Sequence, residues 1–287
     1  MKWEGNRESD NIEDRRSSGS GLGGRSIGLG TIAIALVASY FFGINPMTVI
    51  SLLSGGPGQI DISQSAPAQP AASNEPMVKF VATVLADTED TWGPIFRQRG
   101  SSYVQPKLVL FSGSTPTACG TGDTASGPFY CPGDQKVYID LAFFETMRER
   151  FQVSSDFAQA YVIAHEVGHH VQHITGIMDK VDKVRGNGSE KQANAMSVKL
   201  ELQADCFAGV WAFHANQARD ILEAGDVESA LKAATAIGDD TLQRQSQGTV
   251  VPDSFTHGTS AQRVRWFKRG IDSGQMSNCN TFEAQQL

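Results

Sequence analysis

Three regimes of hydrophobic and polar patterning follow one another along this chain. From Ile27 to Ile44 only Thr31 and Ser39 interrupt the apolar residues, and no Asp, Glu, Lys or Arg occurs between residues 26 and 60. A bilayer core takes about 20 apolar residues of helix, so the pattern predicts a transmembrane helix over 27–50. Residues 51–76 then read as Gly, Pro, Ser and Ala with few large apolar side chains, which predicts a flexible linker. The remainder, 77–287, carries the periodicities of a folded domain.

Within that domain, 78–84 and 92–99 suggest an opening helix, and 107–111 and 136–140 are short apolar runs with strand character. Residues 128–134 read as a turn and 141–151 as a helix. Asp156 with Gln159, Ser189 with Gln192 and Thr259 with Gln262 have capping-box spacing, predicting helices over 156–175, 189–219 and 259–271. A further helix is expected over 227–237. Two strands among five or six helices indicate an α+β fold, rich in helix, with a small antiparallel sheet.

Composition narrows the function. At 40% hydrophobic and 19% charged residues the chain can bury a core, and a net charge of −7 disfavours a nucleic-acid partner. Lys2, Arg7, Arg15, Arg16 and Arg25 precede the apolar run and no basic residue follows it until Lys79. The positive-inside rule therefore predicts a cytoplasmic tail over 1–26 and an uncleaved single pass through a bacterial inner membrane. The domain over 77–287 is then periplasmic or extracellular. Cys119, Cys131, Cys206 and Cys279 all fall in it, and an even count on an oxidising side favours disulfides. Of the three connectivities, Cys119 with Cys131 closes a short Gly/Pro-rich loop, which leaves Cys206 with Cys279.

The chemistry concentrates in His165-Glu166-Val-Gly-His169, an H-E-x-x-H inside a predicted helix. Positions i and i+4 share a helix face, so His165 and His169 can hold one ion while Glu166 reaches a water beside it. The next long helix carries Glu201 and Asp205, again four apart. Glu201 completes a His₂Glu set for one Zn²⁺, and Asp205 can fix a ligand imidazole by accepting its free N–H. His170 is expected to be solvated or to support a ligand, and His214 to pack beside Trp211 and Phe213. His257, in a Gly-flanked loop, is the candidate partner for a developing oxyanion, with Tyr130, Tyr138 and Tyr161 as lesser ones. Strand 136–140 offers an edge for an extended substrate, and 263–269 reads as an amphipathic helix with solvated charges.

These blocks, with R7ESDNIEDRR16, G127PFYCP132, E201LQADCFAGVW211 and H257GTSAQRVRWF267, resemble the bacterial membrane-anchored neutral zinc metallopeptidases. The resemblance implies a zincin fold and peptidase activity, with Glu201 of the E-x-x-x-D pair as third ligand. The function read from the sequence is a membrane-tethered zinc metallopeptidase acting on peptides or proteins. The alternatives are a zinc-stabilised scaffold or binding module, and a hydrolase of a non-protein amide such as a cell-wall cross-link.

Overall fold

The computed structural model describes residues 1–16, 75–124 and 127–287. In chain order the elements are β1 (Ile12–Asp14), α1 (Pro76–Gln98), β2 (Lys107–Phe111), β3 (Ser114–Thr117), β4 (Gly120–Asp123), β5 (Phe129–Cys131) and β6 (Lys136–Asp140). There follow α2 (Ala142–Phe151), α3 (Asp156–Ile174), α4 (Ile177–Asn187), α5 (Glu190–Arg219), α6 (Asp226–Ala236), α7 (Asp239–Gln247) and α8 (Ser260–Ser273). The α+β, helix-rich expectation holds. The expected transmembrane helix and the expected linker up to residue 74 lie outside the described residues, Pro76 already opens α1, and among those described no helix is long and apolar enough to cross a membrane.

The main sheet has the order β1-β2-β6-β5 and is mixed, not antiparallel as expected. Leu108 pairs with Val137 and Leu110 with Ile139 in a parallel ladder. The β3–β4 hairpin and β5 occupy the connection, so β6 enters in the same direction as β2. Both strands are buried, and their unbroken apolar runs suit a parallel sheet covered on both faces. β6 therefore has no free edge, which corrects the expectation that 136–140 receives a substrate strand. The edge beside the site is β5.

The second correction concerns the N-terminal segment, expected to be a tail apart from the domain. Met1–Arg16 belongs to the same compact unit as the described chain from Glu75 to Leu287. β1 pairs in parallel with β2, and Ile12, only 5% exposed, joins the core. The signal was short: Ile12 is a lone apolar residue in R7ESDNIEDRR16, too little for a period-2 pattern.

α3 and α5 position the site. Ser155 caps α3 by accepting the Ala158 N–H at 3.1 Å, one residue before the expected capping position. Ser189 with Gln192 and Thr259 with Gln262 close full capping boxes on α5 and α8. The axes of α3 and α5 approach closely at Gly168, where a Cβ would lie 3.1 Å from the Ala204 carbonyl oxygen. α8 meets α5 through Gly270 and Gly209, and a Cβ on Gly270 would collide with the Cys206 carbonyl. Cys206 is bonded to Cys279 and Cys119 to Cys131. α4 and α7 were not anticipated; Val181 is the buried apolar residue of α4, so neither sequence shows a strong apolar stripe.

Candidate metal centre

Because His165 and His169 are one turn apart on α3, both imidazoles point at α5, held near by the Gly168–Ala204 approach. Glu201 Oε2 lies 3.1 Å from His165 Nε2 and Glu201 Oε1 3.4 Å from His169 Nε2. One ligand atom from each of the three residues falls within 4.8 Å of the others. The expected ligand set is thus brought together.

Each imidazole is held from behind. His165 Nδ1 lies 2.8 Å from Asp205 Oδ1, and His169 Nδ1 lies 2.9 Å from Gln172 Oε1. An amide oxygen and a carboxylate only accept, so both Nδ1 atoms carry the proton and both Nε2 atoms face Glu201. Each Nε2 facing a carboxylate oxygen calls for positive charge at that point, supplied by a second ring proton or by a metal cation. Two imidazole nitrogens and a carboxylate are a donor set that suits zinc.

The electrostatics agree. Burial opposes the charged form of His165, but Asp205 and Glu201 outweigh it and push the pKa up to about 10. Burial likewise opposes the charged form of His169, and Glu201 still raises it. Glu201, despite burial, is held well below the carboxylate range by His169 and His165. The pocket stabilises positive charge where the three side chains converge.

Asp205 is fully buried and does more than hold His165. It accepts the Tyr161 hydroxyl at 2.6 Å and both Nε and Nη2 of Arg263 at 2.9 Å. Against the cost of burial, Arg263 and His165 bring its pKa to about 2. Arg263, 2% exposed, was expected to be solvated; it sits four residues before Phe267, on the inward face of α8. That spacing was the signal available in the sequence. Gln172 and Gln203 were also missed: Gln172 Nε2 donates to the Leu200 carbonyl at 2.6 Å and to Gln203 Oε1 at 3.1 Å. Gln203 Nε2 in turn donates to the Cys279 carbonyl at 2.9 Å.

Glu166 and His257 line the same cavity of about 510 Å³ as His165, His169 and Glu201. Burial raises the Glu166 pKa, with His169 and His165 acting against it. His257 Nδ1 lies 3.1 Å from Asp239 Oδ1, while Asp239 Oδ2 accepts the backbone N–H groups of Thr256, His257 and Gly258. The hydrogen bond to Asp239 raises the His257 pKa over the opposing effect of burial.

The other candidates are engaged elsewhere. His170 is fully buried, not solvated: its Nε2 donates to the Val104 carbonyl at 2.6 Å. Its Nδ1 is then an acceptor for the Tyr130 hydroxyl at 3.1 Å, and burial lowers its pKa to about 4. The Tyr161 hydroxyl is given to Asp205, and that of Tyr138 to Asp134 at 2.7 Å. His214 donates to the Gly274 carbonyl and packs against Phe213.

An H-E-x-x-H helix whose two histidines meet a glutamate of the following long helix forms a His-His-Glu group that could hold a metal ion. The chain belongs to the family described as putative neutral zinc metallopeptidase, whose sequence profile matches residues 1–282. It is 51% identical to the protein YpfJ of Escherichia coli K12, over 98% of this chain and 99% of YpfJ. It is 37% identical to Rv2575 of Mycobacterium tuberculosis H37Rv and to Mb2605 of Mycobacterium bovis, over 73% of each chain. No solved structure matches.

Proposed function

We propose that this protein is a membrane-tethered zinc endopeptidase. The observation that carries the reading is the convergence of His165, His169 and Glu201 within 4.8 Å, beside Glu166 in one open cavity. When bound, zinc supplies Lewis-acid polarisation of a carbonyl and acidifies water toward neutrality.

Glu166, a neighbour of the ligands and not one of them, takes the proton of the attacking water. It then hands that proton to the leaving amine nitrogen as the peptide C–N bond breaks. His257, with Nδ1 held on Asp239, keeps Nε2 free to donate to the oxygen on which negative charge develops. Asp205 and Gln172 keep the ligand imidazoles in the tautomer that frees both Nε2 atoms. Phe129 and Tyr130 of the β5 edge line the cavity, where an extended peptide can add as a further strand.

The two disulfides support an oxidising compartment for the domain, and residues 27–50 supply the membrane attachment. The full-length protein in detergent, incubated with a denatured-protein mixture, is expected to cut it, to stop on addition of a chelator and to recover with zinc. Bound zinc without cleavage of proteins would favour the scaffold; cleavage of cell-wall peptides alone would favour the non-protein amide.

A further inference from the structure

We infer that residues 1–16 and the metal-binding domain lie on the same side of the membrane, so that no single crossing separates them. This replaces the single crossing that hydropathy and the positive-inside count suggest, and it does not depend on the chemistry at the metal centre.

The ends of the intervening segment are the most direct constraint. Arg16 Nη1 lies 2.7 Å from Glu75 Oε2. One crossing would separate these residues by the hydrocarbon core, about 30 Å. The ion pair and a single crossing are mutually exclusive.

The N-terminal segment also completes the domain. Leu108 N donates to the Asn11 carbonyl at 2.9 Å and Arg15 N to the Leu110 carbonyl at 2.8 Å, so β1 satisfies the outer edge of β2. Glu89 on α1 is 4% exposed, and it accepts from Arg7 Nη2 at 2.9 Å, Ser9 Oγ at 2.6 Å and Asn11 Nδ2 at 2.8 Å. All three donors come from the segment. Taken away to the other side of a bilayer, it would leave a buried carboxylate without them and an open backbone edge over the core.

Four of the five basic residues that set the expected orientation, Lys2, Arg7, Arg15 and Arg16, are themselves used in the fold. Lys2 pairs with Asp220 at 2.6 Å, Arg7 with Asp90 at 2.8 Å, Arg15 with Glu13 at 2.7 Å and Arg16 with Asp14 at 2.6 Å. Asp220 and Asp90 belong to the domain, as does Glu75, so Lys2, Arg7 and Arg16 each pair with an acid outside the N-terminal segment. The family match, which begins at residue 1, includes this segment.

Labelling of single introduced cysteines in the full chain tests the inference, since the four native cysteines are in disulfides. Glu4→Cys and Lys268→Cys, both at exposed positions, are made separately and treated in spheroplasts with a membrane-impermeant maleimide, before and after permeabilisation. The expected result is the same protection for both, with before-to-after ratios within about two-fold. A second pair, Glu8→Cys and Asp272→Cys, also exposed, repeats the comparison should either first variant fold poorly. Opposite protection, one residue labelled at least ten-fold more before permeabilisation, would overturn the inference.

Discussion

The Gln172 side chain accepts the Nδ1–H of His169 at 2.9 Å, and through Gln203 that bond is tied to the Cys279 carbonyl. Cys279 is covalently joined to Cys206 on α5, the helix that also carries Glu201. His169, a candidate metal ligand, is therefore oriented by a relay that ends on the disulfide-pinned C-terminal segment. Supporting hydrogen bonds of this kind are worth roughly 10–100-fold in metal affinity. Gln172→Ala is expected to weaken zinc binding by that factor in a chelator competition, with Gln203→Ala weaker in effect. Unchanged affinity in Gln172→Ala would remove the relay from the account.

The approach of α8 to α5 gives a stability prediction. A methyl group on Gly270 meets the Cys206 carbonyl, a backbone atom that cannot rotate away. Gly270→Ala is expected to cost about 3 kcal/mol, the upper end for overpacking, and to lower Tm by roughly 6–12 °C for a domain of this size. Because α8 brings Arg263 to Asp205, bound zinc should weaken as well. A melting temperature equal to wild type would show that the helices can separate freely.

Much of this arrangement was legible in the sequence, and the reasons differ by element. α3, α5 and α8 carry capping residues and helical periodicity, so their positions and the His165, His169 and Glu201 set followed from spacing alone. β1 and α7 did not, because each is held by tertiary partners more than by its own apolar pattern. Arg263 was misplaced for a related reason: a guanidinium on an amphipathic helix is normally solvated, and only the buried Asp205 reverses that preference. Parallel pairing of β2 and β6 depends on the path of the chain between them, which hydropathy does not encode.

Ile12 allows the N-terminal strand to be weighed. It is 5% exposed and packs in the main core. Ile12→Ala is expected to destabilise the domain by about 2–4 kcal/mol, read by denaturant or thermal unfolding. A segment that merely hung from the domain would show no change.

The pH dependence of activity reports on His257. Its raised folded pKa means that the protonated form, and the stabilising contact with Asp239, are fully present below the ordinary value of about 6.5. Both are lost as pH rises through the folded value. The basic limb of kcat/KM is therefore expected above 6.5 in the wild type and lower in Asp239→Asn, which takes away the carboxylate that favours the charged ring. His257→Gln should lose that limb altogether. A basic limb unmoved in both variants would exclude His257 from the charged role.

Zinc content measured on the purified full-length protein tests the metal centre most directly, with Glu201→Gln and Glu166→Gln beside the wild type. A single zinc per chain is expected in wild type and in Glu166→Gln, the latter without turnover, with loss of zinc in Glu201→Gln. Zinc retained at the wild-type level in Glu201→Gln would contradict that expectation.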